Sequence, residues 1–268
     1  MTAWWLSVTS SKTKTGSGLE KSGPLFFKLG AMQTAADAKQ ALEELENQYQ
    51  ADQLGWFFKT GPGEYGEGDK FLGLKVPQTR EVSKQFQNLS HAEIQILAND
   101  EYHEVRQLGL FILVLQFKKA KDRATRKTIF DFYLKLAKQG RVNNWDLVDG
   151  TAPYLGAYLV ETDNTEILGE LAKSKDLWLN RMSVILTFAF LKEGIIEPTL
   201  WMAEYHLDHK HDLMHKAAGW MLREMGKSYP KALTSFLEQH ATKMPRTMLR
   251  YAIEKLPEGQ RKAWLLRK

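Results

Sequence analysis

Leu179-Asn180-Arg181-Met182-Ser183-Val184 opens an apolar helix, and its pattern recurs along the chain. Glu104-Val105-Arg106-Gln107-Leu108-Gly109-Leu110 opens a second such helix, and His215-Lys216-Ala217-Ala218-Gly219-Trp220 a third. Met248-Leu249-Arg250-Tyr251-Ala252-Ile253 opens a fourth. Each carries a basic residue at the same place: Arg106, Arg181, Lys216 and Arg250, separated by 75, 35 and 34 positions. The first gap is twice the others, and Asn143-Asn144-Trp145-Asp146-Leu147-Val148-Asp149 falls in the missing place.

A period of roughly 35–40 residues with two helices per period is the signature of an α-solenoid of the HEAT or armadillo type. From about residue 90 onward helix follows helix, with short polar connections and no strand alternation. The expected fold is all-α: a HEAT-like solenoid, a right-handed superhelix of antiparallel helix pairs with one concave face. Stacking puts equivalent positions in a row, and a row of cations there suits a phosphate backbone. The competing assignment is that these cations pair with acids such as Glu104 or Asp176.

The 268-residue chain is 43% hydrophobic and 26% charged, as in soluble globular proteins, with a formal net charge of +5. That charge permits a polyanionic partner without demanding one. The absence of cysteine excludes disulfides, thiolate nucleophiles and zinc–thiolate sites. No apolar run reaches the roughly 18 residues that cross a bilayer. The apolar part of Met1–Val8 is too short, and lacks the basic start, for a secretory signal. The expectation is a cytoplasmic protein with no membrane partner.

Residues 1–33 are rich in Ser, Thr, Lys and Gly and read as a flexible tail, leaving 34–268 as one helical-repeat domain. Thr34–Gln53 reads as the first helix, with Ala35, Ala38, Leu42, Leu45 and Tyr49 at helical spacing. Gly61–Asp69 reads as a structured loop, and no Gly-Lys-Ser/Thr follows to make it a P-loop. Pro77 then sits near a helix start, and Arg80 is placed to hold a phosphate or simply to face water. His206, His209, His211 and His215 read as a solvated connection, with no ligand pattern for a metal.

Within Asn143–Asp149, Trp145 and Asp149 lie four apart and share a helix face. The plain account is a helix start: Asn as N-cap, acids in the first turn, Trp in the core. The repeat register places Trp145, Asp149, Arg181 and Trp220 near one surface. Met221 and Leu222 can serve the core, which leaves Trp220 for the groove. Two indoles flanking a carboxylate attract a flat cation, and a basic rim anchors an anion. A cationic ring on an anionic chain describes an alkylated purine in DNA. The alternative is that both tryptophans are core residues.

Trp145-Asp146-Leu147-Val148-Asp149, Trp178-Leu179-Asn180-Arg181 and Gly219-Trp220-Met221-Leu222-Arg223-Glu224, in that order, resemble the DNA alkylation repair family of HEAT-like proteins, the AlkD-like glycosylases. Gly73 with Pro77 and Arg80, and Pro245-Arg246 with Arg250-Tyr251-Ala252-Ile253, extend the resemblance to about residues 35–266. The family implies a C-shaped solenoid that wraps duplex DNA and removes N3- and N7-alkylated purines without a deep pocket, metal or cofactor. By position Asp149 matches its catalytic carboxylate, Trp145 and Trp220 its aromatic pair, and Arg181 the arginine beside the cleft. Arg106, Lys216, Arg223, Arg246, Arg250 and Arg80 are the expected DNA contacts, and a monomer is expected. The loop at Gly61–Asp69 is more glycine-rich than the family pattern. Two other functions fit the same fold: a non-catalytic binder of damaged, bent or branched DNA, and a protein-binding scaffold.

Overall fold

The computed structural model describes residues 33–267, and the expected tail lies almost wholly outside them. The described residues form an all-helical stack with no strand, and one isolated parallel bridge joins Lys70 to Tyr102. The first helices are α1 (Ala35–Glu43), α2 (Gln48–Phe57), α3 (Val76–Gln85), α4 (His91–Ala98), α5 (His103–Lys119) and α6 (Arg123–Lys138). Short helices follow: α7 (Trp145–Asp149), α8 (Ala152–Leu155), α9 (Ala157–Glu161), α10 (Glu166–Ala172), α11 (Leu177–Ile185) and α12 (Thr187–Lys192). The chain closes with α13 (Glu197–Tyr205), α14 (Asp212–Ser228), α15 (Pro230–His240), α16 (Arg246–Ala252) and α17 (Glu258–Leu266). No helix among the described residues is long and apolar enough to cross a membrane.

Packing runs from neighbour to neighbour: α5 on α3, α4 and α6, α11 on α7, α10 and α14, and α14 on α13, α15 and α16. This is the architecture of an α-solenoid, in which each unit buries its apolar face only against the next. One apolar core runs along the stack, from Leu42 in α1 through Leu113 and Met182 to Trp264 in α17.

Capping explains where the first helices break. Thr34 and Asp37 form a reciprocal capping box at the start of α1. Asn47 then accepts from the Gln50 N–H and caps α2, which splits the single helix expected over Thr34–Gln53. The split turns Leu45 (41% exposed) and Tyr49 (75% exposed) away from the core to which helical spacing assigned them.

Helix α5 is the centre of the N-terminal half, and its first turn is buried although polar. Glu104 accepts three backbone N–H bonds, from Leu72, Gly73 and Leu74, at 3.0–3.1 Å. Those donors would otherwise be buried unpaired. Gly73 adopts φ +84°, and a Cβ there would lie 2.0 Å from the Asn47 carbonyl oxygen. Only glycine fits both the angle and the contact. Gly73→Ala is therefore expected to lower unfolding free energy by about 2 kcal/mol or more. Urea denaturation measures it, and an unchanged midpoint would contradict this packing.

Two of the four basic residues at the repeat positions, Arg106 and Arg181, prove to be ties between successive units, whereas Lys216 pairs within its own helix and Arg250 is exposed. Arg106 pairs with Asp69, Arg181 with Asp149, Arg223 with Glu254 and Arg126 with Glu161, across 37, 32, 31 and 35 residues. Arg223 and Arg126, outside the repeat positions, make inter-unit ion pairs at similar separations. Arg106, Arg181 and Arg223 are 4–6% exposed, so they do not form the open row of cations expected at a groove.

Candidate active site and nucleic-acid interface

Helix α7 is only five residues long, and its position is set from outside. Asn144, fully buried, caps it by accepting from the Trp145 N–H at 2.8 Å. Asp146 turns inward and accepts from His103 Nε2 and Gln107 Nε2, each at 2.8 Å. Leu147 and Val148 enter the core with no exposure. That leaves Trp145 and Asp149 as the two side chains of α7 that keep contact with solvent.

Asp149 meets Arg181 of α11 in a two-point pair, Nε to Oδ1 at 2.9 Å and Nη2 to Oδ2 at 2.7 Å. Planar fork-to-fork pairing of this kind fixes both geometry and charge. Arg181 spends its remaining Nη1 on the Leu213 carbonyl of α14 at 2.5 Å. One guanidinium therefore ties α7, α11 and the start of α14 together. Arg181, matched by position to the arginine beside the cleft, serves the carboxylate. Burial pushes the Asp149 carboxyl pKa above its ordinary value, and the charge and hydrogen bonds of Arg181 oppose that push. The Asp149 side chain remains 12% exposed, against 5% for Arg181.

Trp145 is half-buried, stacked on Phe58 with ring centroids 5.3 Å apart and edge-on to Phe57 at 6.1 Å. Phe58 continues the stack to Phe71 and His103. The indole is thus clamped by the N-terminal helices with part of it left to solvent. Trp220 of α14 is also half-buried; its N–H donates to Glu224 at 3.2 Å, and Phe188 of α12 lies beside it at 6.3 Å. Gly219 lets α14 approach α16, since a Cβ there would lie 2.5 Å from the Met248 carbonyl oxygen. Met221 and Leu222 are fully buried, in the core role that the sequence assigned them.

Two groups of this region went unread in the sequence. Tyr65, in the glycine-rich loop, packs edge-on against Trp178 and His211, with centroids 5.9 and 6.4 Å away. Asp69, at the end of that loop, receives Arg106 at 2.6 Å, His103 Nδ1 at 3.3 Å, and Asn143 and Asn144 at 3.4 Å. The loop is therefore fastened to α5 and to the entry of α7. The signal was a lone aromatic and a closing acid among four glycines.

The expected DNA contacts divide. Arg223 is buried between Glu224 and Glu254, and Arg106 between Asp69 and the carbonyls of Asp100 and Glu101. A buried guanidinium already paired has nothing to offer a phosphate without breaking the pair. Lys216 is half-exposed but paired with Asp212 at 2.7 Å. Arg250 is exposed, Arg246 donates to the Leu265 carbonyl at the surface, and Arg80 lies over the Phe111 ring at 4.2 Å.

The histidine group is not the solvated connection expected. His206 is 3% exposed beside Ser183 at 3.1 Å, and burial pushes its pKa down to about 4. Among the described residues no three His, Cys, Asp or Glu side chains are placed to hold a metal.

A solved structure described as a predicted DNA alkylation repair enzyme from Enterococcus faecalis is similar in fold. It matches with a TM-score of 0.64 at 16% identity, over 80% of this chain and 97% of that one. Curated protein sequences give no match. The family model for the DNA alkylation repair enzyme matches residues 38–256, which includes α7, α11, α14 and the loop that Tyr65 occupies. This chain belongs to the DNA alkylation repair enzyme family.

Proposed function

We propose that this protein is a monofunctional DNA glycosylase that hydrolyses the N-glycosidic bond of N3- and N7-alkylated purines in duplex DNA. The observation that carries the reading is Asp149: a carboxylate oriented at two points by Arg181 yet still reached by solvent. Alkylation makes the purine cationic and weakens its bond to the sugar. As that bond breaks, positive charge moves to the sugar ring, where a fixed carboxylate is worth most. Asp149 stabilises that charge and orients the water that adds at C1′. The base departs neutral, with the bonding electron pair, so no strong general acid is needed. Trp145 and Trp220 present π faces to sugar and lesion, which favours cationic character. The protein acts as a monomer in the cytoplasm, nucleoid-associated when bound, and the concave face of the solenoid receives the duplex.

The second reading is a non-catalytic binder of damaged, bent or branched DNA, and it draws on the fact that Arg181 already occupies both Asp149 oxygens. A scaffold for other proteins draws on the pairing of Arg106, Arg181, Lys216 and Arg223 with acids. Methylated duplex separates the three. With protein in excess, free 7-methylguanine or 3-methyladenine is expected, together with abasic sites cleavable by alkali. Salt-sensitive binding without base release would leave the binder, and no binding at all would leave the scaffold.

A further inference from the structure

The ion-paired arginines leave a question of charge. If duplex DNA is the partner, some unneutralised cations must face it, and the buried repeat positions do not supply them. Among the described residues, a cluster of that kind lies elsewhere. Lys118, at the end of α5, places its ammonium 3.7 Å from the centroid of the Tyr154 ring. Lys192, at the end of α12, lies over the same ring at 5.3 Å and over Phe188 at 5.0 Å. Both lysines are exposed, and Tyr154 is half-buried.

The charges around them do not compensate. Lys118 feels Arg80 and Lys192, both repulsive, and burial is the larger part of the push that lowers its pKa. Burial also lowers that of Lys192, against which the one carboxylate acting is Glu193. Glu161 and Glu193 both face the same cavity; Glu161 is paired with Arg126, which leaves Glu193 alone against Lys118 and Lys192. The cavity has a volume of about 430 Å³, with Phe117, Lys118, Pro153, Tyr154 and Lys192 among its lining residues. Like charges brought together around one aromatic ring are unfavourable unless an anion joins them.

The cluster also adjoins the candidate site on two sides. Tyr154 lies in α8, the helix that directly follows α7. Phe188, under Lys192, is the ring that contacts Trp220. On the other side Gly150, next to Asp149, packs against Phe111, the ring that carries Arg80.

We infer that Lys118 and Lys192, grouped on Tyr154 beside Arg80, form a docking site for backbone phosphate of the DNA strand adjoining the Asp149 centre. The inference rests on duplex DNA as the partner and not on the chemistry at Asp149. The phosphate supplies the counter-charge that Glu193 alone does not give the two ammonium groups, while the Tyr154 ring fixes their separation.

The test compares two double variants that remove the same formal charge. Lys118→Gln/Lys192→Gln empties the cluster. Lys39→Gln/Lys127→Gln removes lysines already paired, with Asp100 at 2.8 Å and Asp131 at 2.6 Å. Binding to a short fluorescein-labelled duplex is followed by anisotropy across a salt series. The first double variant is expected to lose about tenfold in affinity near physiological salt, and its log–log salt slope to fall by roughly 1–2. The second is expected to stay within about twofold of wild type. Unchanged affinity and slope in the first variant, with wild type still binding, would overturn the docking site while the DNA partner stands. Equal losses in both variants would reduce the cluster to bulk charge and overturn it too. Wild type that binds no duplex would overturn the partner and the site together.

Discussion

Asp149→Asn is expected to slow release of methylated purine by about a hundredfold to a thousandfold, with duplex affinity within about twofold of wild type. Asparagine keeps the shape of the side chain and one acceptor oxygen for Arg181. It removes the negative charge that faces the developing oxocarbenium ion. At an effective dielectric of about 20, opposite unit charges about 4 Å apart attract by roughly 4 kcal/mol, which covers the expected loss of rate. The ground state carries less charge at the sugar, so binding changes less than rate. The substitution also leaves Arg181, 5% exposed, without its anion. The hydrogen bonds that Arg181 keeps, to the new amide oxygen and to the Leu213 carbonyl, limit the damage to about 1–3 kcal/mol of stability. Single-turnover assays belong below the variant's melting temperature, read by circular dichroism. Wild-type kinetics in a folded variant would remove Asp149 from the mechanism. The pH profile gives a second readout. Burial holds the Asp149 pKa above the ordinary aspartate value despite Arg181, so the wild-type rate should fall on the acid side at a higher pH than for a solvated aspartate. The variant should lack that limb.

The helical stack was legible because its signal is long: four basic-apolar helix openings at a common interval, and no strand pattern between them. The meaning of the interval was not. Of the four recurring cations Arg106 and Arg181 tie one unit to its neighbour, Lys216 pairs within its helix and Arg250 faces solvent, and a sequence does not say whether a recurring cation meets an acid or water. Asp149 and Arg181 are 32 residues apart and still meet, as the repeat register implied. Tyr65 and Lys118 escaped notice for a different reason. Neither belongs to a motif, and each acquires its role from an aromatic partner far along the chain, Trp178 or Tyr154. The first helix was misjudged at Asn47, where a side-chain cap outweighed continuing apolar spacing.

Loss of the His103 imidazole should have the largest effect on stability. His103→Ala is expected to lower unfolding free energy by about 3–5 kcal/mol. The ring stands between two buried carboxylates, Asp146 at 2.8 Å and Asp69 at 3.3 Å, which are 1% and 5% exposed. Asp146 would keep only Gln107 as a side-chain partner, and its Oδ1 already has none. Burial by itself pushes the His103 pKa down, but the charge and hydrogen bond of Asp146 and the hydrogen bond of Asp69 outweigh it and hold the pKa up at about 9. The unfolded value is near 6.5, so the folded state binds this proton more tightly. The contribution is complete below pH 6.5 and is lost as pH rises through about 9. Its size follows from the separation of the two values, on the order of 3 kcal/mol. Urea midpoints of wild type should therefore fall between pH of about 7 and about 10, and those of His103→Ala should lack that fall. A flat wild-type profile would mean that the imidazole is neutral in the folded protein. Because Asp146 seats α7 and Asp69 fastens the Tyr65 loop, the same loss should loosen Trp145 and Asp149 together. Base release should then decline on the alkaline side along with stability, at a pH set by a buried histidine.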